Sequence, residues 1–254
     1  MDDRLLGIIT GSFTKLLIPG LTVTIPLTLI SFAIGLVLAI AVALVRVARV
    51  PVVHRIAQFY VWVFRGTPLL VQLFVIFFGL PSVGIVVPAF PSALIAFSLN
   101  VGAYASETFR GAILAVPKGQ IEAGLTTNLG YLTIMRLIVL PQAFRSAFPS
   151  LFNTFISLVK DTSLAANITV VEMFMAAQRI VATTYEPLVL YCEVGVIYLA
   201  FCTVLTWLQG VCEKATCQTV LKSSAEFSAF DGRFCVLKRE VSNKNDLRGI
   251  CIMS

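Results

Sequence analysis

Five apolar stretches, each long enough to cross a bilayer, dominate this chain. They cover residues 21–45, 56–80, 92–116, 147–168 and 187–210, and a helix needs about 20 apolar residues to span the hydrocarbon. Over 254 residues the chain is 58% hydrophobic and only 13% charged, where a soluble domain carries about 25% charged residues. A soluble fold of this length has no core large enough to hide so much apolar surface. The alternation of barrel strands is missing, so the expected class is an all-α integral membrane protein with five transmembrane helices. The run from Leu16 to Val45 is too long for the core of a secretory signal, about 7–15 residues, and reads as a retained span.

The connectors set an orientation. Residues 46–55 hold Arg46, Arg49 and Arg55, whereas 81–91 hold no charge and are rich in Pro and Gly. Residues 117–146 set Lys118, Arg136 and Arg145 against Glu122, and 169–186 set Glu172 and Glu186 against Arg179. Lys and Arg collect in cytoplasmic loops. That pattern predicts an N-terminus outside and a C-terminus in the cytoplasm. The net charge of +6 sits in these loops and the tail, not on one aromatic-studded face, so no nucleic-acid partner is expected. His54 is the single histidine, and a metal site needs several ligands. Ser98, Gly102 and Ser106 repeat at four-residue spacing, which lets a neighbouring helix backbone come close and implies a bundle.

Ionisable groups inside apolar spans are costly and default to functional candidates. Lys160 and Asp161 interrupt the fourth span. Neighbours on a helix point about 100° apart, so the two do not simply neutralise each other. Ser150, Asn153, Thr154, Ser157, Lys160 and Asp161 share one broad face, a polar stripe suited to a watery path. Pairing of both charges with other helices or with the loop that precedes them fits equally well. Arg65 stands before Gly66-Thr67-Pro68, where Pro68 removes a donor and kinks the helix; a structural or hinge role is favoured over one in a path. Glu107 and Arg110, three residues apart, can pair and fix the base of the third helix.

The stretch GQIEAGLTTNLGYLTIMRLIVLPQA, residues 119–143, is the most informative. Its pattern predicts two short helices, 120–127 and 131–140. Asn128 stands between them, and asparagine is the non-glycine residue that best tolerates the left-handed conformation ending a helix; Pro141 is expected to end the second. Glu122-Ala123, with Gly119 before it and Leu140-Pro141 after it, resembles the EAA loop of ABC importer permeases. Gly20-Leu21-Thr22 with Gly35 and Arg46, the RGTPLLVQ run at 65–72, Pro141-Gln142-Ala143 and the KDTSL run at 160–164 resemble other segments of that family's polar amino-acid branch, in the same order. The similarity spans residues 20–211. Two departures stand out: Gly124 replaces the usual second alanine, and Asn128 the usual glycine. Glycine should soften the first short helix by about 1 kcal/mol relative to alanine.

The resemblance implies a five-span type I ABC importer permease in the bacterial cytoplasmic membrane. It further implies a coupling loop (117–146) that docks on cytoplasmic ATPase subunits, with ATP and Mg²⁺ used by that partner. A second permease copy or paralogue, an extracytoplasmic solute-binding protein and membrane lipid complete the expected partners. The implied substrate is a polar amino acid such as cystine, glutamine or a basic residue. Asn153, Ser157, Lys160 and Asp161 would then face the passing zwitterion. The chain carries no GxxxxGK[ST], GxSxG, HExxH or paired CxxC motif, so no catalytic residue, metal or cofactor of its own is expected. Residues 1–19 read as an external segment, 20–211 as the permease domain, and 212–254 as a cytoplasmic tail of unknown role. An amphipathic surface loop at 117–146 and an ion-coupled secondary transporter are the rival readings; the latter usually shows two repeated halves, and none is visible.

Overall fold

The computed structural model describes residues 3–48 and 51–230. Arg49, Cys235 and Cys251, with the rest of 231–254, lie outside the described residues. Among the described residues every regular element is helical. Helix α1 (Asp3–Pro19) passes through a π turn at Gly20–Thr24 into α2 (Ile25–Ala48). The first span is therefore part of an unbroken rod from Gly7 to Ala48, and the segment expected as a separate piece over 1–19 is helical from Asp3.

The second span departs further from expectation. The span expected over 56–80 with a kink at Pro68 is a broken pair, α3 (Pro51–Gly66) and α4 (Leu69–Phe74), the latter extended by a π turn and a short 3-10 turn to Val83. The two arms meet at 108°. Pro68 holds ψ at 139°, outside the helical region, and has no N–H to offer the preceding turn.

After the turn come α5 (Ala89–Ala115), α6 (Lys118–Thr126), α7 (Tyr131–Ile134), α8 (Leu140–Asp161), α9 (Met173–Thr184) and α10 (Pro187–Phe230). The stretch expected as a plain connector, 169–186, thus contains α9, bent by 51° from the preceding arm. Among the described residues three helices are long and apolar enough to cross a membrane, or up to five spans result if each bent pair counts as one. Residues 1–206 form one compact unit; a second begins at Trp207, of which residues 207–230 are described, as the last part of α10.

Pro141 does not end a helix. The chain is helical from Tyr131 through α8, and a π turn at Met135–Val139 joins α7 to it. The three π turns share a cause. Each closes on the residue just before a proline: Ile25 donates to Gly20, Leu80 to Val75 and Leu140 to Met135. The wide i→i+5 ring makes local room for the proline that follows, whose ring and missing donor would otherwise break the helix. Proline here selects a bulge, not a stop.

Helix α5 is the centre of the bundle, packed most extensively on α2 and next on α8. The predicted small-residue row is what allows this. Ser98, Gly102 and Ser106 are all buried. Facing them, Gly35 lies where an added Cβ would sit 2.8 Å from Val101 and 3.0 Å from the Ser98 carbonyl. No other residue fits that crossing without moving a backbone. The outward faces stay apolar: Val37, Val196 and Leu199 are exposed, a surface that water does not favour and lipid does.

Candidate functional site

Three assemblies hold nearly all the candidate residues. The first is a helical hairpin. Helix α6 stops at Thr127, and Asn128 takes φ 58°, the left-handed conformation that asparagine tolerates best among non-glycine residues. The Leu129 N–H then donates to the Gly124 carbonyl at 3.2 Å, and Gly130 starts α7 in extended conformation. The base of the hairpin is fixed by Ile134 and Val139, fully buried against Ala39, Ala105 and Phe109 of the main core. Its far side is open: Glu122, Ala123, Leu125 and Leu132 are exposed. Gly119 and Pro141 are exposed too, and Leu140 is half-buried.

Gly124 is buried, and an added Cβ would lie 2.8 Å from Cγ1 of Ile134. The glycine that costs helix propensity is thus the point where the two arms of the hairpin touch. Gly124→Ala gains up to about 1 kcal/mol of propensity but overpacks a buried isoleucine, at about 1–3 kcal/mol. A net loss in thermal stability is expected. A single variant as stable as the parent would show that Ile134 moves aside freely.

The second assembly is a polar cavity of 520 Å³. Ser150, Asn153, Thr154, Ser157 and Asp161 of α8 line it, opposite Thr67, Asn100 and Tyr104. The stripe read along the fourth span therefore does bound one space. Lys160 is the exception. It is exposed and lies off the cavity wall. Among the described residues the Asp161 carboxylate has no hydrogen bond and no ion pair within 4.0 Å, its charged neighbour being Lys160, although it faces the cavity.

The break at Gly66–Pro68 borders this cavity, and one side chain makes it tolerable. The amide of Gln72 donates to the Phe64 carbonyl at 2.9 Å, to the Thr67 carbonyl at 3.1 Å and to the Thr67 hydroxyl at 2.9 Å. Its own carbonyl accepts from Asn100 at 3.1 Å. A helix broken at membrane depth must have its freed backbone groups satisfied by protein, and Gln72 does this for the end of α3. Sequence reasoning passed over Gln72 and Asn100; two lone amides in apolar runs were the available signal.

The third assembly is built on Glu107. Its Oε1 accepts from Arg46 of α2, and its Oε2 from Nε of Arg110 at 2.9 Å. Arg65 of α3 approaches to 4.0 Å. One carboxylate thus ties three helices, where the sequence suggested only the pair with Arg110. Arg46 is the most buried of the three, its side chain 11% exposed. A further acid was missed. Glu172, counted above as a loop charge, is fully buried. It caps α9 by accepting from the Phe174 and Met175 N–H groups at 2.8 and 2.7 Å, and it accepts from the Tyr198 hydroxyl at 3.1 Å.

Comparison with known proteins decides the family. Residues 31–216 match the model of the binding-protein-dependent transport system inner membrane component. The chain belongs to that family. This permease is 48% identical over 216 residues to the L-cystine transport system permease protein TcyB of Bacillus subtilis (strain 168), covering 85% of the chain and 92% of the relative. It is 36% identical over 202 residues to the arginine transport system permease protein ArtQ of the same organism, covering 78% and 91%. Among solved structures, an amino acid ABC transporter with histidines superposes with a TM-score of 0.78 at 31% identity, over 85% of this permease and 100% of that chain. The all-helical architecture is thus that of an ABC importer permease, a membrane-embedded transport component.

Proposed function

We propose that this chain is the translocating subunit of an ATP-driven importer for a polar amino acid, with L-cystine the first candidate. The observation that carries the reading is the α6–α7 hairpin: a rigid base anchored in the bundle, and an exposed tip that presents Leu125, Leu129, Tyr131 and Leu132. A short rigid helix seated in a groove of a motor protein transmits displacement to the bundle, because its base moves with α5 and α8. The names of the relatives support the class of cargo.

In this reading the chain crosses the bacterial cytoplasmic membrane five times, each bent pair counting as one pass, with the N-terminus outside and the hairpin inside. Two such permeases meet around a common path, since one bundle of this size encloses little space. Two ATPase subunits seat on the hairpins and use the ATP and Mg²⁺. An extracytoplasmic solute-binding protein delivers the amino acid to the cavity lined by Asn153, Ser157 and Asp161. Lys160, off the cavity wall, remains available to a partner or to lipid headgroups.

The test is co-purification followed by transport. The permease should bring down an ATPase subunit, and Glu122→Arg should release it while leaving the bundle folded. Proteoliposomes of the intact complex should accumulate labelled L-cystine only with ATP and binding protein. Accumulation driven by a sodium or proton gradient without ATP would favour the ion-coupled alternative and end this proposal.

A further inference from the structure

A second cavity, 400 Å³, shares Tyr104 with the polar one. Tyr104 lines both. So does the broken corner of the second span: Arg65 and Gly66 face this cavity, Thr67 and Pro68 the other. The two spaces therefore adjoin at Tyr104 and at the residues on either side of one helix break.

Arg65 sits at that boundary and is under-used. Its guanidinium lies over the Tyr104 ring, 5.3 Å from the centroid. It approaches Glu107 only to 4.0 Å, because the two carboxylate oxygens are already taken by Arg46 and Arg110. Among the described residues it makes no hydrogen bond. A guanidinium has five N–H donors in a planar fork that matches a carboxylate. The local charge is also out of balance, three arginines to one glutamate. Arg46 and Arg110 are committed to Glu107. Arg65, its side chain 45% exposed, is the one free to meet an incoming anion.

We infer that Arg65, held over Tyr104, is a carboxylate-binding residue at the passage between the two cavities, receiving the α-carboxylate of the amino acid in transit. The inference rests on the proposed function and sharpens it. Asp161 in the polar cavity suits the ammonium group, and Arg65 supplies the positive partner that Lys160, off the cavity wall, does not. The Tyr104 ring keeps the guanidinium in place when no substrate is present, since a cation over an aromatic face is held by about 0.5–2 kcal/mol. A bound carboxylate forms charge-assisted hydrogen bonds that outweigh this hold.

The experiment uses the purified permease–ATPase complex without the solute-binding protein, so that discrimination arises in the permease alone. The probe is whichever of labelled L-cystine, L-arginine and L-glutamine the wild-type complex retains most tightly, together with its α-carboxamide. Wild type should prefer the acid. Arg65→Gln should weaken retention of the acid by about 10- to 100-fold, the loss typical of an unpaired charged hydrogen bond, and leave the amide unchanged. Arg65→Lys should restore part of the preference. Equal losses for acid and amide would mean that Arg65 only holds the helices together, and would refute the inference while leaving the transport reading intact. Retention of no amino acid by the wild-type complex would refute the carboxylate site, while the transport reading stands or falls on ATP-dependent uptake in proteoliposomes. If Asp161→Asn weakens retention but Arg65→Gln does not, the polar cavity stands and the carboxylate role is lost.

Discussion

Replacing Glu107 by glutamine is expected to destabilise the bundle by about 1–3 kcal/mol, the usual cost of leaving a charged hydrogen-bonding group without its partner. The shape of the side chain is kept, so the loss is electrostatic. Arg46, nearly buried, keeps its charge and loses its counter-ion. Arg110 and Arg65 are left beside it with nothing between them. Thermal unfolding of the detergent-solubilised protein is the measurement. Two further variants make the result specific. Glu107→Asp should fall between, because the carboxylate survives but its reach shortens. Glu107→Gln combined with Arg46→Gln should regain much of the stability, because the buried unpaired charge is gone. Equal melting of the single variant and the parent would show that the cluster is solvated and not structural.

Asp161→Asn is expected to cut uptake of labelled L-cystine about 30-fold or more while the melting temperature stays near that of the parent. Removing one member of a hydrogen-bonded charge pair costs about 2–5 kcal/mol, and each 1.4 kcal/mol is about tenfold. Asp161 has no ion-pair partner within 4.0 Å among the described residues, and its charged neighbour is the exposed Lys160, so the substitution removes no close contact within the bundle. Stability and transport should separate for this residue, whereas for Glu107 they fall together. Lys160→Gln is the control from the adjacent face, exposed and off the cavity wall. Unchanged uptake in the Asp161 variant would remove the polar cavity from the transport path.

Much of the site was legible from the residues. The polar stripe on α8 follows from helical periodicity alone: with 3.6 residues per turn, Ser150, Asn153, Thr154, Ser157 and Asp161 must fall on one side, and they line one cavity. The turn at Asn128 was legible for a local reason, since few side chains accept a positive φ. Other features were not. Pro141 is a helix stop by its own chemistry, yet the wide turn before it keeps the chain helical. Nothing at position 72 announces that its amide will fill the gap left by Pro68, because the carbonyls it bonds belong to a helix end that exists only after the chain has bent by 108°.

The sequence by itself determined the membrane class, the helical content and the position of the small residues, because each depends on one stretch of chain and its solvent. Apolar length, residue spacing and local backbone preference suffice for these. The tertiary structure alone decided which charges meet. Arg46 and Glu107 lie far apart in the chain, and Arg65 reaches both Tyr104 and Glu107 only because α3 packs on α5. The α2–α5 crossing, a different one, explains why Gly35 must be glycine, and Lys160 and Asp161, neighbours in the chain, face different surroundings. Pairings of this kind depend on how helices pack, and packing is set by the fit of whole surfaces, not by any one of them.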